Sequence, residues 1–161
     1  MIHNTLIVIH AAGGIISFII GVLILFPLAG GRVNLRYLSM LFLGTLVLML
    51  IFLILVVVTD WPELDNLQRA IFGGLNILGL YMVWRAFQAY QLLSIQPEGW
   101  QLKYTGHIGF NLISLFEGFV IVSAIDLGTP GWLVGLMAVL GVLLGNWVVH
   151  MASSRFASRS L

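Results

Sequence analysis

Long apolar runs broken by short polar stretches set the pattern of this chain. Five runs stand out: residues 6–28, 37–58, 67–92, 105–127 and 131–151. Each has the length a helix needs to cross a hydrocarbon core about 30 Å thick. The runs are continuous rather than alternating, so they predict helices and not the strands of a membrane barrel. The stretches between them, AGGRVNLR, TDWPELDN, LSIQPEGWQLKY and GTP, leave no room for a folded soluble domain. Short connections put successive helices side by side and antiparallel. The expected fold is all-α: a single domain, a five-helix antiparallel transmembrane bundle. No basic stretch precedes the first run and no cleavage-type site follows it, so it reads as a span rather than a signal peptide.

Composition agrees with the pattern. Of 161 residues, 60% are hydrophobic and 8% charged, whereas about a quarter of a soluble domain is charged. The mean hydropathy is +1.08. The net charge of +1 and the lack of a basic cluster with interleaved aromatics exclude nucleic acid as a partner. Without cysteine there is no disulfide, iron–sulfur or thiolate metal site, and His3, His10, His107 and His150 are the only good nitrogen ligands. There is no P-loop, dinucleotide fingerprint, His-Glu-x-x-His, nucleophile elbow or kinase signature. The chain therefore reads as a non-enzyme.

Charge placement orients the bundle. Arg32, Arg36, Arg85, Lys103, Arg155 and Arg159 fall on one side of a five-span chain, and only Arg69 on the other, beside Asp60, Glu63, Asp65 and Asp126. The positive-inside rule then puts the N-terminus outside and the C-terminus in the cytoplasm of a bacterial inner membrane. Trp61 and Trp132 mark the outer boundary, and Tyr37, Tyr90, Trp100 and Tyr104 the inner one, as an aromatic belt.

The fourth run carries the candidate chemistry. His107, Asn111, Ser114 and Gly118 fall within about 60° on one helical face, and Glu117 flanks them near mid-span. Polar groups inside a membrane need partners within the protein, and a mid-membrane carboxyl is a candidate proton site. Its bland alternative is an acid bonded to Ser17 or Asn76, which lie at similar depth. The tight Gly-Thr-Pro-Gly turn should pair the fourth and fifth runs. The two residue numbers of His107 and His150 then have the same sum as those of Asn111 and Asn146. Each helix would present a His and an Asn at matched depth near the inner boundary. Tyr81, Arg85 and Gln88 share a face that can join them.

Such a pocket has several readings. His107 and His150 could ligate a b-type haem, with Asn111 and Asn146 as orienters and Arg85 near a propionate. A quinone head group could take hydrogen bonds there, walled by Trp84, Phe110 and Trp147. A proton relay could run from Glu117 to His107. Helices packed at about 8–10 Å leave no slot for a macrocycle unless a third helix holds them apart. Equally, the same residues could serve only as hydrogen-bonding glue between helices, with Arg85 snorkelling to head groups. His3 and His10 share one helix and cannot form a second bis-His site.

Small residues mark packing faces: His10, Gly14, Ser17 and Gly21 in the first run, Gly73, Gly74 and Gly79 in the third, and Gly131, Gly135, Gly141 and Gly145 in the fifth. They would serve packing within the bundle or self-association.

The segments His10-Ala-Ala-Gly-Gly, Gly30-Gly31-Arg32-Val33-Asn34-Leu35-Arg36 through Met40, and Tyr81 to Ala86 together resemble small bacterial integral membrane proteins of the DUF2306-like kind, over roughly residues 10–90. Those proteins often carry His-Arg in the first loop, where this chain has Asn34 with Leu35-Arg36. The resemblance implies a topology and no activity.

The leading expectation is an accessory or structural subunit, lipid-embedded, packing in a homo-oligomer or a larger membrane complex. The alternative is a redox or proton-handling protein with a cytoplasm-facing pocket built from the third to fifth runs.

Overall fold

The computed structural model describes residues 2–25, 34–130, 132–134, 136, 137, 140, 141, 143 and 147. Four helices dominate: α1 (Ile2–Leu25), α2 (Leu35–Asp60), α3 (Asn66–Ile95) and α4 (Trp100–Asp126). Each is long and apolar enough to cross a membrane. Among the described residues there is no strand, and those between 132 and 147 are also helical. The rest of the expected fifth span, including Asn146 and His150, lies outside the described residues.

Helix ends follow local chemistry rather than hydrophobicity. Asn34 caps α2 by accepting from the Tyr37 amide at 3.2 Å. Asp65 and Gln68 form a reciprocal capping box at the start of α3. Gln96 stops α3 in the left-handed region at φ 44°, its amide bonded to the Leu92 carbonyl. Gly99, at φ 69°, then starts α4 only three residues later. So α4 begins at Trp100, not Thr105, and the polar stretch Gln101–Tyr104 is its first turn. Apolar length marks where lipid contact starts, whereas a helix runs on into the interface.

The helices form a ring: α1 packs on α2 and α4, and α3 packs on α2 and α4. On α1 and α2 the contacts step in opposite senses. His10 meets Met49, Ser17 meets Thr45, and Gly21 lies against Phe42. Gly13 lets α1 come up against the α2 backbone. A Cβ there would come 3.2 Å from Met49 Cβ and 3.4 Å from its Cα. Gly21 also abuts Leu112 of α4, and Gly79 of α3 abuts Leu50 of α2. The core is filled by Ile24, Phe42, Leu46, Met82, Tyr104 and Ile108.

Polarity is inverted relative to a water-soluble bundle. Ile15, Ile19, Leu48, Val58, Ile77 and Phe119 face outward, while Ser17, Ser39, Thr105, Asn111, Ser114 and Glu117 are buried. An apolar exterior of this extent suits hydrocarbon and not water. Tyr104 departs from its expected place in the aromatic belt. It is fully buried and hydrogen-bonded to Ser39 of α2. Tyr37, Trp61 and Trp132 are exposed.

Candidate functional site

Two kinds of polar group line the interior. The first kind is paired. The His10 ring nitrogen Nδ1 is 3.0 Å from the Met49 carbonyl oxygen. Ser17 donates to Thr45 at 2.8 Å, and Thr45 donates to the Phe42 carbonyl at 3.0 Å. Ser39 and Tyr104 bond to each other. These bonds tie α1 to α2 and α2 to α4, each worth about 1 kcal/mol.

The second kind lies on α3 and α4 and is not paired. Asn111 is fully buried, 0% exposed, and neither its amide nitrogen nor its oxygen has a partner among the described residues. Glu117 is 6% exposed and its Oε2 has no partner among them. The same is true of His107 Nδ1, Arg85 Nε and Asn76 Oδ1. Leaving a buried amide unsatisfied costs about 1–3 kcal/mol, and more in hydrocarbon.

Arg85 anchors the near end of this seam. Its Nη2 donates to the Gly106 carbonyl at 3.1 Å and its Nη1 to the Tyr81 hydroxyl at 3.4 Å. The guanidinium lies 4.9 Å from the Phe110 ring centroid. Tyr81 stands edge-on to Phe110 at 5.2 Å. The side chain is thus folded onto α4. The carbonyl it bonds belongs to Gly106, the residue before His107.

Glu117 anchors the far end. Its carboxyl occupies the space that a Cβ on residue 141 would need. Only glycine at 141 lets the described part of the last segment lie this close. The anticipated partners are engaged elsewhere: Ser17 with Thr45, and Asn76 Nδ2 with the Phe72 carbonyl at 2.9 Å. Asn76 Oδ1 stays without a partner among the described residues.

Arg85, His107, Asn111 and Glu117 fall along the α3–α4 side, while the places of Asn146 and His150 lie outside the described residues. Trp84 and Trp147 do not wall the seam; both are more than half exposed. Among the described residues no group of three or more His, Asp or Glu could hold a metal ion. The buried Ser39–Tyr104 pair escaped the sequence reading. Its only trace was that both residues flank apolar positions at helical spacing. The chain matches no protein-family profile, no curated protein and no solved structure.

Proposed function

We propose that this chain is a small multi-span protein of a bacterial inner membrane, a five-helix antiparallel bundle with its N-terminus outside and its C-terminus in the cytoplasm. Its role is that of an accessory or structural subunit that packs against itself or a larger membrane complex. The observation behind this reading is the inverted polarity: an apolar exterior around a polar interior. The outer side of α3 adds support. Gly73 and Gly74 have nothing within 4 Å of where a Cβ would sit, which leaves a notch suited to a second helix. The DUF2306-like resemblance belongs to the same proposal and concerns topology alone.

The test is extraction followed by sizing. The protein should stay with membranes through an alkaline carbonate wash. It should then run in mild detergent as one fixed multimer or complex, which Gly74→Leu disperses. Release by the wash, or a monomer that Gly74→Leu does not alter, would contradict the reading.

One observation favours a second reading, a ligand pocket from α3, α4 and the last segment. Asn111 keeps both amide atoms without a partner among the described residues, one position from Phe110, which Arg85 overlies. In that reading His107 and His150 bind a b-type haem, or the seam hydrogen-bonds a quinone head group. Asn111 and Asn146 orient the ligand and Arg85 meets its anionic or carbonyl edge. A Soret band in purified protein selects haem, and a colourless preparation removes it. Quinone recovered by solvent extraction, and lost in Asn111→Leu, selects the other.

A further inference from the structure

We propose that the Glu117 carboxyl, seated against Gly141 inside the bundle, is a proton-exchange site served by the polar face of α4. The inference requires that the chain lies in a membrane, but not that it is a subunit of anything. Three observations carry it. Glu117 lies eight residues short of the end of the apolar stretch Trp100–Ile125, about 12 Å inside it. The carboxyl is buried with Oε2 unpartnered among the described residues, an arrangement that disfavours its charged form. And Gly141 provides the space that the carboxyl fills.

Among the described residues no cation neutralises it; on α2, Arg36 lies 5.8 Å from the Tyr90 ring centroid. On α1, His10 is bonded to the Met49 carbonyl. On α3, Arg69 stacks 5.5 Å from the Trp61 ring centroid and bonds the Trp61 carbonyl, while Arg85 is held by Gly106 and Tyr81. On α4 itself, Lys103 is exposed and His107 lies near the opposite end. The described residues from 132 to 147 include no titratable side chain. A proton is the smallest counter-charge that the filled space beside Gly141 still admits.

The route is the remainder of the seam. Ser114, Asn111 and His107 follow Glu117 at gaps of three, three and four residues, a rise of about 4.5–6 Å per step. One water bridging two polar groups spans about that distance. Asn111, with a donor and an acceptor both unused, can pass a hydrogen-bonded chain in either direction.

Dicyclohexylcarbodiimide tests the site, because this apolar reagent reaches carboxylic acids inside membranes and reacts with the protonated form. The acid adds across a C=N bond: the carboxyl oxygen bonds the central carbon and the proton goes to nitrogen. An oxygen-to-nitrogen acyl shift then leaves a stable N-acylurea, without change of oxidation state. Membrane vesicles holding the full chain are treated and the labelled position is read by peptide mass spectrometry. The expected result is one adduct, at Glu117, absent in Glu117→Gln. Labelling should fall roughly tenfold from mildly acid to alkaline medium, as exchange with bulk water removes the proton. Gly141→Leu should lower it by a similar factor, and Gly44→Ala, in open space, should not.

No adduct at any pH overturns the proposal. So does labelling that ignores pH, since a proton that never exchanges marks a structural acid. Suppression by sodium at fixed pH overturns it in favour of a metal-cation site. A carbonate wash of the same vesicles separates these failures from a chain that was never membrane-embedded.

Discussion

The α1–α2 interface and the α3–α4 seam use similar residues to opposite ends. At α1–α2, each of the polar side chains His10, Ser17 and Thr45 meets a partner, and Gly13 draws the backbones together. At α3–α4, Asn111, Glu117, His107 and Arg85 each keep at least one enclosed polar atom unbonded among the described residues. A polar group in a membrane that finds its partner acts as glue, and removing it costs stability. One that is held without a partner costs stability by its presence. The first region holds the bundle together, and the second is where function is to be sought.

The contrast can be broken most forcefully at Gly13. A leucine there must displace the Met49 backbone, which cannot swing aside as a side-chain tip can. Gly13→Leu should cost about 3 kcal/mol, the upper end for overpacking, read as loss of thermal stability in detergent. Gly21→Ala should cost less, because it meets the movable ends of Leu112 and Phe42.

Next in size is the buried hydroxyl pair. Ser39→Ala leaves the Tyr104 hydroxyl enclosed and unpaired, and should cost about 1–2 kcal/mol. Tyr104→Phe strands Ser39 in the same way. The double variant should recover about 1 kcal/mol of the summed losses in a mutant cycle. Additive losses would show that the pair is not a coupled contact. Smaller still is Ser17→Ala, expected to cost about 0.6 kcal/mol, the average for an interhelical bond in a membrane bundle. Its effect is blunted because Thr45 keeps its bond to the Phe42 carbonyl.

The sequence made the spans legible because hydrophobic length is a local property. It also placed His10, Ser17 and Gly21 on the packing face of α1, because helical periodicity is local too. The structure then uses Gly13 to bring α1 up against the α2 backbone, one residue from the anticipated Gly14. Tyr104 was misread because a tyrosine at a span boundary has the same local pattern whether it faces head groups or a neighbouring helix. Only the distant Ser39, sixty-five residues away, decides between them. Glu117 shows the same limit. Depth alone matched it with Ser17 and Asn76, yet depth does not say which way a side chain turns about its helix axis.

Asn111→Leu tests the division between the two regions most directly, because leucine keeps asparagine's branched side-chain skeleton while removing both polar atoms that lack partners among the described residues. Unfolding free energies are measured in one detergent for the natural chain, Asn111→Leu and Ser39→Ala. Asn111→Leu should be more stable than the natural chain by about 1 kcal/mol, while Ser39→Ala is less stable. If Asn111→Leu instead destabilises the protein as much as Ser39→Ala does, Asn111 is structural glue and the seam has no special standing.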